Sequence, residues 1–235
     1  MPSGTFRDES RDARELLIST YASGTEPFGA GTVAMPTIDG EVLVGKESSD
    51  TIDEVGRNID LSKNDLIFGE GGNDFIQGAG GADVLYGGAG EDRLYGDAGN
   101  DFLFGGDEKD ALYGGDGVDA LFGGDGNDTL VGGAGDDKLA GGAGNDTYYI
   151  NSLTDGNDTI EDSDATGVIK VDGRVLTGGI KKAGDATWKS PDGQFEYRLE
   201  AGHLKLTLNG STLTINENFQ SGQFGIRSAG ERMAA

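Results

Sequence analysis

The chain has 235 residues, 42 of them acidic against 18 basic, for a formal net charge of −24 and a pI near 4.1. That balance excludes nucleic acid and argues against anionic membrane surfaces as partners, and the absence of cysteine excludes disulfides and thiolate sites. No apolar run reaches membrane-span length, and the N-terminus carries no apolar signal-peptide core.

In chain order, residues 8–22 predict an amphipathic helix, with Ala13, Leu16, Leu17 and Tyr21 on one face and Gly24 as its stop. Gly24 to Gly40 holds two prolines and little periodicity, and reads as loop. The stretch GKESSDTID, Gly45 to Asp53, reads as a degenerate turn with Asp50 in its sixth position, followed by a loop bulging through Arg57.

From Gly69 to Tyr149 the chain repeats in blocks of nine. Position one is always Gly. Position six is always Asp: Asp74, Asp83, Asp92, Asp101, Asp110, Asp119, Asp128, Asp137 and Asp146, with Asp65 in register one block earlier. Position eight is apolar throughout: Ile67, Ile76, Leu85, Leu94, Leu103, Leu112, Leu121, Leu130, Leu139 and Tyr148. Glycines at positions one, two and four permit tight turns with φ > 0. The following triad is a minimal strand whose central side chain points to one face. One triad cannot bury that side chain alone, whereas stacked coils of two triads and two turns bury a continuous seam. Carbonyls in the glycine-rich turns then need partners. Calcium supplies one, taking six to eight carboxylate and carbonyl oxygens.

Some positions depart from the pattern. Glu108 stands at position four, so its block needs a strained turn or a different one, and Glu70, Ala79 and Asp97 stand at position two, where the early sites depart from the pattern. After Asp146 the period slips by three and resumes at Asp158 with Ile160, which predicts a last coil pairing Asp158 with Asp137. EDSDATG places Asp162, Asp164 and Gly167 as in an EF-hand loop, but Gly173 stands where that loop needs a bidentate Glu. From Val168, strand-like runs alternate with turn signals: VIKV-DG-RVL, TWKS-PDG-QFEYRLE and HLKLTL-NG-STLTI. His203, the single histidine, lacks a base, nucleophile or ligand partner, so nothing in the sequence reads as catalytic.

The blocks match G-G-x-G-x-D-x-U-x, where U is apolar, and the chain resembles the calcium-binding domain of the RTX (repeats-in-toxin) family, exported by type I secretion. The resemblance implies an all-β fold: a right-handed parallel β-roll with an N-terminal helix and a C-terminal β-rich cap. The implied division is 1–40 as N-terminal flank, 41–161 as roll and 162–235 as cap with a secretion-signal region. The phrase LTI…NFQSG…GI, from Leu213 to Ile226, belongs to that last resemblance.

In the family, turns two blocks apart share each ion. One turn gives carbonyls from positions one and three, the other from positions two and four, and both give their Asp. Carried over, the pairs are Asp65/Asp83, Asp74/Asp92, Asp83/Asp101, Asp92/Asp110, Asp101/Asp119, Asp110/Asp128, Asp119/Asp137 and Asp128/Asp146, about eight ions. The implied carbonyl donors in the early turns are Gly69, Gly71, Gly78, Gly80, Gly81, Gly87, Gly88, Ala89 and Gly90. The central turns add Gly96, Gly99, Gly105, Gly106, Asp107, Gly114, Gly115, Asp116 and Gly117. The late turns add Gly123, Gly124, Asp125, Gly126, Gly132, Gly133, Gly135, Gly142 and Gly144.

The function implied is a secreted, non-catalytic calcium-binding module. It is disordered at low calcium, folds outside the cell and assists export of an attached effector. The alternative is an adhesin or docking module that uses the outer faces for a surface ligand or for self-association. Positions seven and nine should point outward. One face then collects Leu66, Phe68, Val84, Tyr86, Phe102, Phe104, Ala120 and Phe122, and the other Phe75, Gln77, Arg93, Tyr95, Ala111, Tyr113, Thr129 and Val131. The first set is apolar enough to require a cover, either the N-terminal helix or the C-terminal β segment.

Overall fold

The computed structural model describes residues 36–53, 60–162, 166–176, 187–190, 195–200, 203–208 and 210–215. The helix expected over 8–22, the loop through Arg57, Asp164 and the NFQSG phrase lie outside these residues. Every described element is a strand. The first are β1 (Val42–Lys46), β2 (Thr51–Ile52), β3 (Leu66–Gly71), β4 (Phe75–Gln77), β5 (Val84–Ala89) and β6 (Arg93–Ala98). Next come β7 (Phe102–Asp107), β8 (Ala111–Asp116), β9 (Ala120–Asp125), β10 (Thr129–Ala134), β11 (Lys138–Ala143) and β12 (Thr147–Ile150). The last are β13 (Thr159–Ile160), β14 (Val168–Val171), β15 (Arg174–Val175), β16 (Thr187–Lys189), β17 (Glu196–Glu200), β18 (His203–Leu208) and β19 (Ser211–Ile215).

Successive strands of the repeat alternate between two sheets. The first sheet runs β1-β3-β5-β7-β9-β11-β13 and the second β2-β4-β6-β8-β10-β12-β14, each pair parallel. Two blocks therefore complete one coil, and Leu85, Leu103 and Leu121 lie in register down the first sheet. This is the parallel β-solenoid that the nonapeptide period predicts. Position eight points between the sheets: every residue of that series from Ile67 to Tyr148 is 0% exposed, and so are Ile52, Ile160 and Ile169. Their cluster is the core of the roll, and burying each aliphatic side chain contributes about 1.5–3 kcal/mol.

At the C-terminal end the two sheets finish differently. The second gains β14, which stacks parallel on β12 and turns back into β15 through Asp172 (φ 50°) and Gly173 (φ 75°), the left-handed pair of the DG hairpin expected from sequence. The first gains β19, parallel to β13, and then β18, β17 and β16 as an antiparallel meander. The described C-terminal strands thus extend the first sheet edge to edge, and do not lie across its face as one form of the expected cover required. That face is nonetheless buried at Val84, Phe102 and Ala120, with 1% exposure or less, while Arg93 on the second sheet is exposed. The outward position-nine rings stack in register: Phe68 on Tyr86 at 5.0 Å, Tyr86 on Phe104 at 4.6 Å and Phe104 on Phe122 at 4.8 Å between centroids.

Candidate metal centre

Each glycine-rich hexad makes a turn at one edge of the roll, so the position-six aspartates form two columns. Along one run Asp74, Asp92, Asp110, Asp128 and Asp146; along the other run Asp65, Asp83, Asp101, Asp119, Asp137 and Asp158. Within a column the link is the same at every step. The main-chain N–H of one Asp donates to Oδ1 of the Asp a coil further on, at 2.7 Å from Asp65 to Asp83 and 2.9 Å from Asp128 to Asp146. The eight expected pairs are all brought together. Asp137 also donates to Asp158 at 3.1 Å, as the slipped period predicted.

The second carboxylate oxygen tells the other half. Oδ2 is buried and accepts no hydrogen bond in Asp65, Asp74, Asp83, Asp92, Asp101, Asp110, Asp119, Asp128 and Asp137. A Cβ added at position one shows what that oxygen faces. On Gly87 it would collide with Asp92 Oδ2 and Gly105 O, and on Gly105 with Asp110 Oδ2 and Gly123 O. Position-one carbonyls thus point back toward the preceding coil. Position-two and position-four carbonyls point forward, since Gly88 O lies under Gly106 and Gly99 O under Gly117. Each gap between coils is therefore lined by carbonyls from both turns and by carboxylates from both. Among the described residues no three Asp, Glu, His or Cys side chains converge as a metal cluster. A cation in these gaps would take two aspartates, and backbone oxygens for the rest.

This donor set fits calcium. All donors are hard oxygens, carbonyls outnumber carboxylates, and Ca²⁺ tolerates such irregular shells where Mg²⁺ demands a near-ideal octahedron. The electrostatics favour a positive charge there as well, whether proton or cation. Burial, and then the like charge of the neighbouring aspartates, raises the carboxyls from an ordinary 3.8 to about 7 in Asp83 and Asp101 and to about 8 in Asp119. In Asp110 the same causes, in the same order, give about 8.

At Glu108 the structure holds the strained turn and not a different one, and the three position-two departures behave alike. Glu70 (φ 79°), Ala79 (φ 70°), Asp97 (φ 70°) and Glu108 (φ 75°) all adopt the left-handed conformation that glycine holds at those positions elsewhere. The turns keep their shape, at the cost of left-handed backbone in residues that carry a Cβ. The degenerate turn also joins its column, because Asp50 donates its N–H to Asp74 Oδ1 at 2.7 Å. Its own Oδ2 differs from those of the repeats, accepting the N–H of Lys46 at 2.7 Å.

Sequence reasoning missed three features. Glu41 donates its N–H to Asp65 Oδ1 and so begins the second column. Position-five asparagines bind the coil above: Asn64 Oδ1 accepts from Ala82 N–H, Asn100 Oδ1 from Val118 N–H and Asn127 Oδ1 from Asn145 N–H, at 2.8–2.9 Å. Their recurrence at one position of the block was the available signal. The third is Tyr148, whose hydroxyl donates to Asp162 Oδ2 at 2.7 Å. In the sequence Asp162 reads only as part of an EF-hand-like loop. His203 lies on β18 opposite Glu200 of β17, away from both columns in the antiparallel extension.

Comparison with known families matches the RTX calcium-binding nonapeptide repeat in four copies, at residues 61–94, 77–112, 86–121 and 113–148. Among solved structures the chain is similar to the AlgE6R3 subunit of the Azotobacter vinelandii mannuronan C5-epimerase. Identity is 30% over 58% of this chain and 82% of that one, with a TM-score of 0.34. It is also similar to the extracellular lipase LipA from Serratia marcescens, at 18% identity and a TM-score of 0.27, over 82% of this chain. The chain spans only 40% of that lipase. Comparison with curated proteins gives no match.

Proposed function

The chain belongs to the family of proteins with RTX calcium-binding nonapeptide repeats, and on that premise we propose that it is a calcium-dependent folding module of a secreted bacterial protein. The observation that carries the reading is the double column of buried aspartates, of which the nine from Asp65 to Asp137 have Oδ2 unsatisfied. A buried carboxylate without a counter-charge costs several kcal/mol, so the closed roll and its ions require one another. The eight pairs from Asp65/Asp83 to Asp128/Asp146 each hold one Ca²⁺, about eight in all, and Asp137 with Asp158 continues one column. At low calcium the chain is unfolded and passes through a type I exporter. In the calcium-rich exterior the ions bind only the folded state and stabilise it by mass action. Residues 41–161 act as the folding unit, 162–235 as its cap and secretion-signal region, and an attached effector supplies any catalytic activity. Circular dichroism with a calcium titration tests this. The β signal should appear with Ca²⁺ and not with Mg²⁺, and a full β signal in chelator at neutral pH would remove the switch.

A second reading, docking through an outer face, is favoured by one observation. In a chain of charge −24, the outward row Gln77, Tyr95, Tyr113, Val131, Tyr149, Lys170 and Val175 holds no carboxylate. Substituting Tyr95 and Tyr113 by Ser should abolish retention on a surface ligand, or self-association, while leaving calcium-induced folding intact.

A further inference from the structure

Tyr148 occupies the position that is Leu or Ile in every preceding block. It is 0% exposed and stands in register between Leu130 and Ile169. An aliphatic side chain there would end inside the core. The phenol instead reaches the turn of its own block, Gly141 to Asp146, where Gly141 has no Cβ to obstruct it, and its oxygen accepts the N–H of Gly141 at 2.8 Å. Its proton goes to Asp162 Oδ2 at 2.7 Å.

The place this hydroxyl takes is specific. A Cβ on Gly123 would meet Asp128 Oδ2 and the carbonyl oxygen of Gly141, the position-one oxygen of the next coil. A Cβ on Gly141 would meet Asp146 Oδ2 and, in place of a next-coil carbonyl, the Tyr148 hydroxyl. The next turn at this edge brings Gly167 against Asp146, where the repeat would bring another Asp. The forward-pointing carbonyl of Gly144 is also engaged, accepting the Thr166 hydroxyl.

We propose that the hydroxyl of Tyr148, held between Gly141 N–H and Asp162, stands in for the oxygen of an absent coil and fastens the Asp146 turn without a cation. The inference rests on the calcium reading above and sets where this column of ions stops. Asp128/Asp146 is its last metal gap, and the junction beyond it is closed by protein hydrogen bonds. Tyr148 and Asp162 are then positioning residues and not ligands.

Native mass spectrometry of the calcium-saturated full chain counts the ions in wild type, Tyr148→Phe and Asp162→Asn. Phe keeps the ring and loses only the hydroxyl; Asn keeps an acceptor. The expected result is the same ion number in all three. The calcium-loaded melting temperature should fall by about 2–4 °C in Tyr148→Phe and by less in Asp162→Asn. One ion fewer in either variant would make these oxygens metal ligands and overturn the proposal, and so would a Tyr148→Phe chain that melts with wild type. A wild type that binds no calcium would overturn the underlying reading and the proposal with it.

Discussion

The main-chain N–H of Asp101 donates to Oδ1 of Asp119 at 2.8 Å, and Asp101 Oδ1 in turn accepts the N–H of Asp83 at 2.8 Å. One aspartate therefore joins three coils, through its N–H on one side and its Oδ1 on the other, and its buried Oδ2 accepts no hydrogen bond. Asp101→Ala should remove an acceptor from a buried N–H, at about 1–3 kcal/mol, and a ligand from two adjacent gaps. In a solenoid stabilised by nearest neighbours a central lesion interrupts the stack. Its calcium midpoint should rise more than that of Asp146→Ala, read by circular dichroism titration; equal midpoints would count against shared ions.

Acid should partly replace calcium. Burial and like charge hold the folded-state carboxyls of Asp83, Asp101, Asp110 and Asp119 at about 7 to 8, above the ordinary 3.8. The folded roll thus binds these protons more tightly than the unfolded chain does. Its ion-free stability is greatest below 3.8 and is lost as pH rises through about 7 to 8. In chelator, the far-UV β signal should grow as pH falls from about 8 to about 5. A signal constant across that interval would contradict the burial of the columns.

Glu108 holds φ 75°, a conformation that costs a side-chain-bearing residue about 1–2 kcal/mol. Glu108→Gly removes that strain, offset in part by the greater freedom of glycine in the unfolded chain. A net gain of about 0.5–1 kcal/mol is expected, seen as a higher melting temperature at saturating calcium. A lower one would mean that the Glu108 side chain contributes more than its backbone costs.

Leu121 is fully enclosed between the sheets, in register with Leu103 and Leu139. Leu121→Ala should cost about 2–5 kcal/mol in the calcium-loaded roll, measured by chemical denaturation. Phe75→Ala, on the half-buried outer face of the second sheet, should cost markedly less. Comparable losses would place the second sheet's outer face under a cover.

The amino-acid sequence alone determined the roll. A period of nine with Gly, Asp and an apolar residue at fixed places specifies turn, buried carboxylate and core in one unit, because each block needs only its neighbours to be satisfied. Asp65 to Asp146, Leu85 to Leu139 and the strained Glu108 were all legible on that account, and the hairpin at Asp172–Gly173 followed from its turn chemistry. What only the tertiary structure decided lies where the repeat ends. Nothing local to Tyr148 says that its hydroxyl will meet Asp162, since the meeting depends on how the slipped period sets the next coil. Nor does VIKV at β14 announce itself as one more rung of the second sheet, while β19 closes the first from the far side of a meander. Those contacts join residues outside the period, and their geometry is fixed by which strand edge remains to be paired after the last coil has formed.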